Sequence, residues 1–163
     1  MVTSCVSSTY VPDPMPVVAD VDRQGALTLS FPLCKGEALF ALGITGEGVH
    51  GERWTLRQGD GSTIASHDEV VSVSFNRDSL ASGSVSPRWP LQVALESGAP
   101  IEPSDYEYVF VGTTHYDAGF YPESLTQEGT WLIEGDEIQH GVVPRRVGPE
   151  EGLGELESFC ATR

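Results

Sequence analysis

Positive charge is what this 163-residue chain has least of. Lysine and arginine total 9 against 24 aspartates and glutamates, the formal charge is −15, and Lys35 is the single lysine. Such a surface repels nucleic-acid phosphates and anionic lipid headgroups, so no nucleic-acid partner is expected and no electrostatic attachment to a membrane. The acids are spread along the chain except near its C-terminal end (Glu150, Glu151, Glu155, Glu157), which reads as a solvated acidic surface rather than a mimic of DNA. Long hydrophobic runs are missing too. No stretch approaches the roughly 18 consecutive apolar residues that a membrane-spanning helix needs.

Patterns that carry chemistry are equally thin. The four histidines are His50, His67, His115 and His140. The local pairings His67-Asp68 and His115-Tyr116-Asp117 lie in turn-like segments and match no metal-ligand spacing, so they read as exposed loop histidines and no metal is expected. No serine sits in a G-x-S-x-G elbow. Gly59-Asp60-Gly61-Ser62 lacks the lysine and the strand–helix context of a phosphate loop, and the calcium-loop pattern is absent. Pairs of carboxylates are inevitable among 24 acids and carry no information. No catalytic residue and no cofactor is therefore assigned, and a hydrolase is the weakest of the functional readings.

What is abundant is punctuation. Glycine (18) and proline (11) imply many turns, and turn-rich chains of this length favour a single β domain. Residues 1–16 include the Ser/Thr/Pro-rich segment VSSTYVPDPMP and read as a flexible N-terminal tether; residues 17–163 read as one domain. Val17–Val21 is the first β-like run. In Ala26–Phe31, Leu27, Leu29 and Phe31 share one face. Ala38–Ile44 is a continuous apolar run, expected as a buried central strand. Arg53–Arg57 places Trp54 and Leu56 together, and Gln58–Ser62 is expected as a hairpin turn through Asp60-Gly61. Glu69–Phe75, Pro90–Leu95 and Tyr106–Val111 follow, with Thr130–Ile133 and Ile138–Val143 as weaker strands around Gly135-Asp136. Residues 149–159 carry the best helical pattern, with Leu153, Leu156 and Phe159 three apart and two glycines against it. The spacing predicts an all-β, antiparallel, immunoglobulin-like β-sandwich of about eight strands with a short C-terminal helix or turn.

Aromatic residues concentrate between 106 and 121. Tyr106, Tyr108 and Phe110 alternate on one strand face and are expected in the core. Tyr116, Phe120 and Tyr121 are expected in a loop, as candidate binding residues.

Three cysteines remain. In an exported protein an odd count needs an explanation. A bridge between Cys34, just after a strand, and Cys160, near the chain's end, would pin the tail onto the domain, worth about 4–5 kcal/mol in the chain-entropy model. Cys5 is then left over. Val2-Thr3-Ser4-Cys5 resembles a bacterial lipobox: an aliphatic residue, a small or β-branched one, a small one, then the cysteine that receives lipid. The tether that follows is what such lipoproteins show. The resemblance covers about 15 residues and implies a signal peptide upstream of Met1, lipid on Cys5, and a Cys34–Cys160 disulfide. The expected function is that of an exported, membrane-anchored lipoprotein domain in a bacterial cell envelope. It would bind or scaffold a protein or another envelope component, touching membrane only through Cys5. The alternative is a cytoplasmic or phage-derived acidic protein that neutralises a protein partner, of immunity or inhibitor type.

Overall fold

The computed structural model describes residues 11–47, 51, 53–75, 91–95 and 107–162. Among the described residues eleven strands precede one α-helix in chain order: β1 (Asp13–Pro14), β2 (Pro16–Val21), β3 (Leu27–Leu33), β4 (Leu39–Glu47), β5 (Arg53–Gln58), β6 (Glu69–Phe75), β7 (Leu91–Leu95), β8 (Tyr108–Thr113), β9 (Tyr116–Phe120), β10 (Gly129–Glu134), β11 (Arg145–Val147) and α1 (Pro149–Thr162). They form two sheets. The larger has the order β1-β9-β8-β4-β5-β7 and the smaller β11-β10-β2-β3-β6. Every pairing between the described strands is antiparallel except the short β1–β9 contact. The expectation of a mainly β domain is met, with more strands than the eight expected. No helix among the described residues is long and apolar enough to cross a membrane.

One hydrophobic core joins the two sheets. Val17, Ala19, Leu29, Phe31 and Ile133 from the smaller sheet meet Leu42, Leu56, Val109, Val111 and Phe120 from the larger. Period-two alternation explains most of it: Leu29 with Phe31, and Trp54 with Leu56, face inward as their spacing predicts. β4 is central, between β8 and β5. The apolar run there has its own exception, because Phe40 stays exposed.

Helix α1 covers the outer face of the smaller sheet through a second cluster of Val18, Leu132 and Leu156. Of its three spaced apolar residues, Leu156 is buried, Phe159 packs edge-on against Tyr116, and Leu153 is exposed. Gly152, which counts against a helix by propensity, has a packing role: a Cβ there would lie 3.1 Å from Val18 Cγ2. Glu150 and Glu151 occupy the first turn, where carboxylates complement the helix dipole. Cys34 and Cys160 are joined in a disulfide that closes a separation of 126 residues and ties the last turn of α1 to the end of β3.

Four expectations need correction. Gln58–Ser62 is no hairpin turn: β5 and β6 belong to different sheets, and residues 61–65 run along the β3–β4 connection through Gly61 N–H to Leu39 C=O and Ala65 N–H to Glu37 C=O. Ile138–Val143 is not a strand. A turn occupies residues 137–140, and the last strand is Arg145–Val147. The sheet begins at Asp13, within the segment assigned to the tether, and Met15 is in the core because its N–H bonds to the Asp117 carbonyl and seats it between the sheets. Finally, β8 turns its valines inward. Val109 and Val111 are core residues, so Tyr108 and Phe110 lie on the outer face, and Tyr106 falls outside the described residues.

Candidate functional site

The inversion of β8 builds the site. On the outer face of the larger sheet, Gly119 of β9, Phe110 of β8 and Gly43 of β4 stand side by side in register. Asp117, Gly112 and Ala41 form the next row. Glycine is required here because the aromatic rings lie flat across it. A Cβ at Gly43 would fall 2.7 Å from Phe110 Cζ and would strike the Leu56 carbonyl, and one at Gly119 would fall 2.6 Å from the Tyr108 hydroxyl. A Cβ at Gly112 would meet nothing.

The polypeptide after β10 roofs this trough. Gly119 donates its N–H to Gly135, and Glu137 donates its N–H back to Gly119, so residues 135–137 extend the sheet beside β9. The Asp136 carboxylate accepts the N–H groups of Ile138 and Gln139, both at 2.8 Å, and folds the turn over the trough. The Glu137 carboxylate takes the Tyr121 N–H at 2.6 Å and the Ser124 hydroxyl. The result is a cavity of about 310 Å³ lined by Tyr108, Phe110, Gly112, Asp117, Asp136 and Ile138 among others. Its volume is at the lower end of small-ligand sites. The groove of Thr45, Gly46, Glu47 and Arg53 on the same sheet is smaller, about 200 Å³, and more polar.

Two buried polar atoms at this cavity lack hydrogen-bond partners. Tyr108 is 8% exposed and its hydroxyl makes no hydrogen bond. The Asp136 carboxylate lies beside that hydroxyl, and burial, reinforced by Asp136, pushes the phenol far above its ordinary range. Asp117 Oδ1 is buried without a hydrogen bond, 3.7 Å from His140 Nε2. His140 is already engaged: Nδ1 accepts the Asp136 N–H at 2.9 Å, which places the ring proton on Nε2, directed to the Pro12 carbonyl at 3.0 Å. Burial first and the Asp136 charge second raise Asp117 from 3.8 to about 6, with His140 offsetting part of the rise. Asp136 Oδ2 would lie 2.7 Å from a Cβ at Gly119, beside the tyrosine hydroxyl.

The residues singled out from sequence are distributed differently. Tyr116 and Phe120 are on strand β9, not in a loop. Phe120 is buried in the core, Tyr116 packs on Phe159, and Tyr121, just after the strand, packs edge-on against Tyr108. Cys5 and His50 lie outside the described residues. His67 is exposed and His115 pairs with the buried Glu37 at 3.2 Å, so neither joins the cavity. Asp117, Asp136 and Tyr108, which do, carry no local motif. Among the described residues no group of three or more His, Cys, Asp or Glu could hold a metal ion. Comparison of the chain with protein-family models, with curated proteins and with solved structures finds no match.

Proposed function

We propose that this chain is the exported domain of a bacterial envelope lipoprotein, anchored through lipid on Cys5, that binds rather than transforms its target. The observation that carries this reading is the Cys34–Cys160 disulfide, because such bridges persist in oxidising compartments and are rare in the cytosol. It weighs against the cytoplasmic inhibitor reading. It also leaves Cys5, at the end of a lipobox-like tetrapeptide, as the one cysteine available for lipid. The seven residues between Cys5 and Asp13 span at most about 25 Å when extended, which holds the domain close to the bilayer. A charge of −15 gives no electrostatic affinity for anionic lipid, so attachment falls to the lipid alone.

The fold is of immunoglobulin-like type in this reading. Support comes from connectivity: β3 pairs with β6 in one sheet, β4 pairs with β8, and β8 with β9 in the other, as strands B, E, C, F and G do in that architecture. Ligands would enter at the outer-face cavity beside Pro12, where the tether reaches the domain.

The test is expression of the native gene, with its own upstream region, in a bacterium supplied with an alkyne fatty acid. Label on the protein and recovery in the membrane fraction are expected, and Cys5→Ala removes both without changing the disulfide. A freely soluble, unlabelled product in the native host overturns the anchor.

A further inference from the structure

We infer that the outer-face cavity is a site for a small organic ammonium group bearing a short apolar arm. This rests on reading the cavity as a binding site and is independent of the anchor on Cys5.

The chemistry of the lining selects the ligand. Asp117 and Asp136 both present carboxylates to one cavity, and none of its described lining residues is basic. Arg53 and Arg57 of β5 share this face, but Arg57 sits across Gly43 from Phe110, two strands away from it, and neither lines the cavity; His140, 3.7 Å from Asp117 Oδ1, directs its Nε2 proton to the Pro12 carbonyl. Two carboxylates held close together without a cation between them are mutually repulsive, and a ligand cation relieves that. Asp117 Oδ1 is a buried acceptor without a donor, and a buried acceptor left unmade is costly, so a ligand N–H completes it. The Tyr108 hydroxyl is the second unmade group, on a side chain more than nine-tenths buried. Its oxygen accepts one ammonium N–H while its own hydrogen turns to Asp136.

The remaining wall argues for the arm and against a bare metal ion. Phe110 and Ile138 are apolar, and the aromatic face of Phe110 attracts a cation as well as an alkyl chain. Calcium takes about 6–8 oxygen ligands, far more than two carboxylates and a phenol supply. A volume of 310 Å³ is about ten water volumes, which admits an ammonium with a chain of a few carbons and excludes a folded polypeptide segment.

Two sources share this chemistry, a free alkylamine and a lysine side chain, and the experiment separates them. The full chain, with its disulfide intact and isotopically labelled, is titrated with n-butylammonium, with Nα-acetyl-lysine methylamide and with neutral n-butanol, following backbone amide resonances. Saturable shifts at residues 112, 117–119 and 136–139 are expected with the cations and not with butanol. The tighter of the two cations names the source. Asp117→Asn is expected to weaken binding at least about tenfold, the loss of one charge-assisted contact. Gly112→Leu is the steric counterpart: it plugs the cavity from a position where an added Cβ meets nothing, and is expected to abolish binding with charge unchanged. Absence of saturable shifts with both cations, an equal response to butanol, or undiminished binding in both variants overturns the inference.

Discussion

Asp117 is the residue whose environment departs furthest from what its sequence neighbours suggest. Beside His115 and Tyr116 it reads as part of an exposed turn. In the fold it lies on β9 with one oxygen buried, facing Asp136 and His140 near Tyr108 and Glu137. Its pKa is raised to about 6, so between its ordinary value of 3.8 and that value the folded protein holds a proton that the unfolded chain has released. The stabilisation from this group is complete below the lower value and is lost as pH rises through about 6. Asp117→Asn is therefore expected to stabilise the fold by about 1 kcal/mol near neutral pH, the shift being discounted for solvent screening, and to change little below about pH 4. Urea unfolding at the two pH values measures this; an equal effect at both would contradict the burial argument. Neither Asp117 nor its partnership with Asp136 was legible in the sequence, because 19 residues separate them and a single backbone pairing, Gly119 with Asp136, brings them together.

At the scale of elements, α1 and β8 show opposite balances between local and distant forces. The helix was legible in outline from its proline start, early glutamates and apolar spacing, although its two glycines argued against it. Gly152 is explained only by the sheet beneath it, where an added Cβ would lie 3.1 Å from Val18 Cγ2 and the valine would have to give way slightly. Attachment of α1 rests on Leu156 and on the disulfide. Removing both cysteines by Cys34→Ser and Cys160→Ser is expected to cost about 5 kcal/mol of stability in the chain-entropy model, because the bridge closes a loop of more than a hundred residues. Leu156→Ala, which empties a fully buried site, is expected to cost about 2–4 kcal/mol. Denaturant unfolding monitored by helical circular dichroism reads both, and a loss under about 1 kcal/mol in the double serine variant would show that α1 needs no covalent tie. Strand β8 was legible as a strand but not in its facing. Alternating Tyr and Val are both good strand formers, and the choice between faces fell to Val109 and Val111, which fit the interior, while the glycines at 43 and 119 leave space outside for the rings.

Across the whole molecule, charge and cysteine usage set the expectations that solution measurements meet first. In protein isolated from its natural compartment without reductant, thiol titration after denaturation is expected to find no more than one reactive cysteine, since Cys34 and Cys160 are bridged. Three reactive thiols would remove the basis for an oxidising compartment. The sequence alone determined the β class, the positions of the longer strands and the acidic charge, and it suggested the pairing of Cys34 with Cys160 that the structure shows. Alternation, turn residues and composition act over a few neighbours or over the bulk, and both can be read without a fold. Only the tertiary structure decided that β5 and β6 belong to different sheets, that Tyr108 and Phe110 face outward, and that Asp117, Asp136 and Tyr108 share one cavity. Those outcomes depend on strand register and on contacts between residues far apart in the chain, whose energies are summed only when both sheets close on the same core.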